Sequence, residues 1–210
     1  MASPSPRGHS GTLAQSRLIR ARLSWKRHRR HGSPVSVGPA CGPPDHDRAA
    51  IQIREFREGD LDAVVAFSLR AWQPVFDSLR EVLGDEIFLR LHPDWRADQA
   101  EAVRSSCLSE ERDVFVALAD GRPVGFAAVA LNAFHERMGV IDIIGVDPDY
   151  QRRGISSRLT EHATEHMLRC GMDIAVVETG GDPGHAPARA AYEAAGFTLL
   201  PIARYFRMLG

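Results

Sequence analysis

The stretch Gln151-Arg152-Arg153-Gly154-Ile155-Ser156-Ser157 combines residue types that can hold a phosphate group. It follows the apolar run Ile141-Asp142-Ile143-Ile144-Gly145-Val146 and the Asp147-Pro148 turn, and it opens a segment of helical periodicity. The first turn of a helix leaves backbone N–H groups without partners and carries the positive end of the helix dipole, so it attracts anions. Gly154 permits close backbone approach to a ligand. Ser156 is small and carries a hydroxyl, and Arg152 and Arg153 add positive charge beside a pyrophosphate. No G-K-[ST] follows and no G-x-G-x-x-G is present, so this is neither a P-loop nor a dinucleotide fingerprint. Asp142 is the second pointed residue, because a carboxylate inside an apolar strand run is unusual. Its role is either proton transfer or a structural hydrogen bond to a neighbouring loop. On strict alternation it shares a strand face with Val140 and Ile144. Glu178, on the following strand, is a less favoured carboxylate of the same kind. His162 and His166 fall at i, i+4, a spacing that can bind a metal. No third ligand stands near them, so they read as a solvated helix face and no metal is expected.

The elements that must position these residues are legible in outline. Ile51 to Phe56 alternates as a half-buried strand does, and Gly59-Asp60 then punctuates, with Asp60 as a helix N-cap. Leu61, Val64, Val65, Leu69 and Trp72 recur at helical spacing until Pro74, which is expected to break the helix. Val75 to Leu91 and Asp94 to Leu108 read as further helices, separated by His92-Pro93. Asp113 to Ala119 and Pro123 to Leu131 form a hairpin about Asp120-Gly121. Met138 to Val146 is a strand, Gly154 to Cys170 a helix closed by Gly171, and Asp173 to Thr179 a β-branched strand. Ala186 to Ala195 is a helix closed by Gly196, and Thr198 to Leu209 is expected to finish the chain as a strand. The order β-αα-β-β-β-α-β-α-β predicts an α/β (α+β) fold, a mixed sheet with helices on both faces.

Gln151-x-x-Gly154-x-Ser156 resembles the Q/R-x-x-G-x-G/A motif of the GNAT (GCN5-related) N-acetyltransferase superfamily. Val146-Asp147-Pro148-Asp149-Tyr150 looks like that family's usual lead-in, and Ala188 to Phe197 resembles its second signature, A-x-x-x-Y-x-x-x-G-F. The motifs stand in the family's order, and the resemblance covers roughly residues 51–210. Ser156 departs from the usual Gly or Ala, and His185 stands where members often carry Asn. The resemblance implies a mostly antiparallel central sheet with a splayed strand pair forming an acetyl-CoA cleft. It implies direct transfer of acetyl from acetyl-CoA, as co-substrate, to a primary amine of a small molecule or peptide. Gln151 to Ser157 would hold the pyrophosphate. Ile144, Gly145 and Val146 would pair with the pantetheine arm and polarise the thioester carbonyl beside a bulge at Gly145. Tyr192 would protonate the leaving thiolate; its alternative is a packed aromatic with a satisfied hydroxyl. The base would be Asp142 or Glu178, with His135, Glu136 or a water chain as alternatives. Trp72, Trp95 and Phe134 would either line the acceptor pocket or belong to the core. Members of the family often dimerise, and a homodimer is one expected state.

Length and composition bound the remaining choices. The 210 residues suit one domain with an extension, and no apolar run reaches the roughly 20 residues of a membrane span. Cys41, Cys107 and Cys170 give neither a disulfide framework nor C-x-x-C spacing, which points to a reducing, cytoplasmic setting. Residues 1–50 carry nine basic and two acidic residues, a net charge of +7, and leave −8 for the rest. This segment is poor in large apolar residues and reads as a disordered basic extension, with a targeting peptide or a nucleic-acid-binding arm as rival readings. Trp25 is its one aromatic residue, which argues against nucleic acid as a partner. The acidic remainder favours a cationic amine. The rival to an enzyme is a non-catalytic acyl-CoA-binding or sensing module.

Overall fold

Short apolar-rich runs supply five strands, near-continuously apolar and buried on both faces at the centre, and ladder hydrogen bonds join them into one sheet. The structure, a computed structural model, describes residues 51–209. The strands are β1 (Gln52–Glu55), β2 (Asp113–Ala119), β3 (Arg122–Ala130), β4 (Met138–Val146) and β5 (Ile174–Val177), in spatial order β1-β2-β3-β4-β5. The first four pair antiparallel, and β5 lies parallel to β4. Four helices complete the fold: α1 (Leu61–Leu91), α2 (Trp95–Leu108), α3 (Ile155–Arg169) and α4 (Ala186–Ala194). The basic segment 1–50 lies outside the described residues.

Both sheet faces are covered, as expected. Val64, Val65 and Phe67 of α1 and Ala100 and Val103 of α2 pack on Val114, Val116, Leu118, Phe126 and Ala128. On the opposite face Ile155, Leu159, Ala163 and Met167 of α3 pack on Ala117, Ala127, Val129 and Ile141. Burying each large side chain contributes roughly 1.5–3 kcal/mol, so the centre of the sheet is a stiff platform. Asp120 and Gly121 take φ of 49° and 78°, the left-handed pair an Asp-Gly hairpin turn requires. No helix among the described residues is long and apolar enough to cross a membrane.

Four local expectations are corrected. Pro74 does not end its helix: the helical run continues through it to Gly84, whose φ of 75° and ψ of 159° break α1, and a second helical piece reaches Leu91. The hydrogen bond that proline forfeits is outweighed by packing on both sides, where Phe67 and Ser68 precede it and Phe76 and Ser78 follow, all buried. Asp60 makes no side-chain cap to α1. Its carboxylate instead accepts two hydrogen bonds from Arg54, at 2.7 and 2.8 Å, and one from the Arg57 N–H. Residues 198–209 form no strand. Pro201 removes a ladder donor in their midst, and Leu199, Leu200, Ile202, Tyr205 and Leu209 stay exposed. The bulge is not at Gly145. Ala128 pairs with Ile143 and Val129 with Ile141, so Asp142 is the extra residue, while Gly145 pairs in register with Phe126.

Candidate active site

The phosphate-type loop is built by its own backbone. Asp147 accepts a hydrogen bond from the Asp149 N–H at 3.0 Å and starts a short 3-10 turn, Pro148–Tyr150. Arg70 of α1 ties that turn down, bonding Asp147 at 2.6 Å and Asp149 at 2.8 Å. The Gln151 amide donates to the Val146 carbonyl at 3.2 Å, which folds the loop against the end of β4. Arg152 and Gly154 then adopt left-handed φ of 60° and 75°. Gly154 is the N-cap of α3 and offers no side-chain acceptor, and the first turn holds no acidic residue. The N–H groups of Ile155, Ser156 and Ser157 therefore lack intrahelical partners, the arrangement in which a helix start can hold an anion. Of the two arginines, Arg153 turns back, stacking over Tyr150 at 4.9 Å and donating to the Asp149 carbonyl. Arg152 is exposed beside the opening.

Next to this loop the sheet parts. Parallel pairing between β4 and β5 ends at the Ile141–Val177 pair, while β4 runs on to Val146. The outer backbone edge of Ile144 to Val146 is thereby left without a β5 partner. Asp142, the bulge residue, turns to the α2 face, where its carboxylate accepts from Arg112 Nε at 2.8 Å and lies 3.4 Å from Ser106 Oγ. The inserted residue puts Asp142 and Ile143 on one face and returns Ile144 to the α3 side, so Asp142 does not share a face with Ile144. Glu178 follows β5 at the mouth of the parting and is exposed. Gly145 is a packing requirement: a β-carbon there would stand 2.7 Å from Trp72 and 3.1 Å from Phe126. Trp72 thus closes over the end of β4. Trp95 stacks on Phe76 at 4.3 Å, and Phe134, His135 and Glu136 lie in the loop between β3 and β4.

Tyr192 has a buried ring, packed edge-to-face on Phe197 at 6.0 Å. Burial pushes its phenol up to about 12. Its hydroxyl has no hydrogen-bond partner among the described residues, and it is not among the fully enclosed side-chain oxygens. Sequence reasoning missed the group just upstream. His185, noted only for replacing an asparagine, has its Nδ1 2.5 Å from Asp182. Burial alone would raise the Asp182 carboxyl, but hydrogen bonds from His185 and Ser78 outweigh it and hold the group below the usual carboxylate range. The i, i+3 spacing of Asp182 and His185 behind Gly180-Gly181 was the available signal. His162 and His166 flank the Phe115 ring, and His166 lies 2.7 Å from Asp113. Among the described residues no cluster of three or more His, Cys, Asp or Glu is placed to hold a metal.

Comparison with known proteins agrees with this geometry. The family model described as "Acetyltransferase (GNAT) family" matches residues 75–197. The chain is 31% identical over 155 residues to streptothricin acetyltransferase of Streptomyces lavendulae, covering 70% of this chain and 80% of that one. It is 28% identical over 162 residues to mycothiol acetyltransferase of Saccharomonospora viridis, covering 70% of this chain and 45% of that one. The chain therefore spans about half the length of the mycothiol acetyltransferases it matches. Among solved structures, the aminoglycoside N-acetyltransferase AAC(6′)-Iy in complex with CoA shares the fold. Its TM-score is 0.53 at 16% identity, over 78% of this chain and 97% of that one. The matched residues begin within α1, take in both the loop before α3 and the Tyr192 segment, and end at Phe197; the chain belongs to the GNAT acetyltransferase family.

Proposed function

We propose that the protein transfers acetyl from acetyl-CoA directly to a primary amine of a small molecule or peptide. One observation carries the reading: β4 parts from β5 immediately beside the open N-terminus of α3. An anion held at Ile155 to Ser157 would leave the pantetheine arm to run along the free edge of β4. There the backbone groups of Ile144 to Val146 would bond it as an added strand does. A backbone N–H at that edge would polarise the thioester carbonyl, where negative charge develops during attack. Tyr192, whose hydroxyl is not fully enclosed, would protonate the leaving thiolate. Direct attack is favoured over a covalent enzyme intermediate, because Cys107 is buried with its thiol pushed up to about 12, chiefly by that burial, and Cys170, though exposed, stands at the C-terminal end of α3, roughly 20 Å along the helix from the loop. In this reading Asp142 anchors the bulge through Arg112, and Glu178 draws a cationic amine to the mouth of the cleft. Two relatives are named for small molecules, streptothricin and mycothiol, which supports a small acceptor.

The test is CoA release from acetyl-CoA with streptothricin, an aminoglycoside, spermidine and a peptide bearing a free N-terminus. Turnover with one of them is expected. Tyr192→Phe should lower kcat by about 10²- to 10⁴-fold with little change in the KM for acetyl-CoA. Gly154→Glu, which adds charge and strain at the left-handed cap, should raise that KM steeply. Binding of acetyl-CoA without turnover of any amine would instead favour a sensing module. No rise in melting temperature with acetyl-CoA would sink the cofactor assignment.

A further inference from the structure

Ser78, Asp182 and His185 form a closed polar cluster where α1 meets the segment entering α4. The Asp182 side chain is only 5% exposed. Its Oδ2 accepts from Ser78 Oγ at 2.9 Å and from the Gly184 N–H at 3.1 Å, and its Oδ1 lies 2.5 Å from His185 Nδ1. The Gly184 N–H also donates to Ser78 Oγ at 2.8 Å. Arg189 braces the loop from α4, donating to the carbonyls of Gly180 and Asp182 at 2.6 and 2.9 Å. A side chain at Gly180 would collide with both Asp182 and His185. The imidazole is therefore fixed in place and in tautomer. With Nδ1–H donating its hydrogen bond to the carboxylate, a neutral ring carries its lone pair on Nε2. Nε2 has no partner among the described residues and is not enclosed. His185 ends the short 3-10 turn Pro183–His185 and is the N-cap of α4, seven residues before Tyr192, which sets the two roughly 10 Å apart along the helix axis. The other acid-base candidates are placed differently: Asp142 is committed to Arg112 and Ser106, and Glu178 has no hydrogen bond among the described residues to hold it.

We propose that His185 Nε2, held by Asp182, is the base that deprotonates the acceptor amine. The assignment rests on the N-acetyltransfer reading above. The ring removes one proton from the incoming ammonium and becomes imidazolium, leaving a neutral amine. The amine lone pair forms the C–N bond at the thioester carbonyl carbon, and the C–S bond then breaks. The CoA thiolate takes its proton from the Tyr192 hydroxyl. The remaining proton on the new amide nitrogen restores the tyrosine through solvent, and the imidazolium releases its own to solvent. Asp182 is the positioning residue, and Ser78 and Arg189 hold the loop.

The test compares wild type with His185→Gln, Asp182→Asn and Ser78→Ala, using the amine of highest kcat/KM in the panel. Assays run near pH 6.5 and near pH 9.5, because a primary alkylamine loses its proton only around ~10.4. His185→Gln is expected to lose about 10²- to 10⁴-fold in kcat/KM at the lower pH. It should recover at least about 10-fold of that loss at the higher pH, where solvent supplies neutral amine. Its KM for acetyl-CoA should hold. Asp182→Asn should show a smaller loss with the same pH-dependent recovery. Ser78→Ala keeps both catalytic groups, so any loss should be equal at the two pH values. Equal loss at both pH values in His185→Gln, or activity equal to wild type, would overturn the base assignment while leaving acetyl transfer standing. A wild type that binds acetyl-CoA and acetylates no amine overturns the underlying reading and this one with it.

Discussion

At the scale of single residues, Gly145 illustrates a requirement set by a neighbour. The sequence offers a glycine near the end of an apolar strand, which suggests a bulge. The structure assigns the bulge to Asp142 and gives Gly145 another task, leaving room for Trp72. Those two facts were illegible for the same reason: a bulge is a mismatch between partners, and a close approach involves a helix some seventy positions away in sequence. Gly145→Ala would place a methyl group 2.7 Å from the Trp72 ring. Overpacking of this kind costs about 1–3 kcal/mol. Chemical denaturation should record that loss, and a Trp72→Leu background should relieve at least about 0.5 kcal/mol of it, since contacting residues couple. Strictly additive costs would mean the ring moves aside freely. By contrast, the loop from Gln151 to Ser157 was legible almost completely. Its geometry lies in a glycine, a helix start and the absence of acidic residues, all of which are local.

At the scale of elements, local pattern located nearly every helix and strand but judged their ends poorly where packing intervenes. The hairpin at Asp120-Gly121 and the helix ends at Gly171 and Gly196, with φ of 83° and 85°, are decided by backbone chemistry and were readable. The passage of α1 through Pro74 was not, because buried side chains on both flanks outweigh the break. Residues 198–209 fail in the opposite sense: they have apolar content suited to a strand but no ladder among the described residues. The two helix breakers in α1 should consequently answer mutation with opposite signs. Pro74→Ala restores a backbone donor within a helical conformation and should stabilise the protein by about 1–3 kcal/mol. Gly84→Ala forces a β-carbon onto a left-handed residue and should destabilise it by about 1 kcal/mol or more. Thermal unfolding of the two variants checks this, and a loss of stability in Pro74→Ala would show that the proline geometry is itself used by α1.

At the scale of the whole molecule, charge separates the two substrates the proposed reaction requires. Residues 51–210 carry a net charge of −8, a field that draws cations and resists an anionic donor such as acetyl-CoA. The proposed donor site would offset this locally, through the unpartnered N–H groups of α3, a first turn free of acidic residues and the exposed Arg152. An acidic body thus suits capture of a cationic acceptor. Long-range steering of this kind is screened as the Debye length shrinks from roughly 30 Å at 0.01 M salt to roughly 8 Å at 0.15 M. With acetyl-CoA saturating, kcat/KM for spermidine should therefore fall several-fold between those salt concentrations. A zwitterionic amino acid acceptor, which has no net charge to steer, should change little. If spermidine is insensitive to salt, the acidic surface plays no part in capture, and selection of the amine rests on contacts inside the cleft alone.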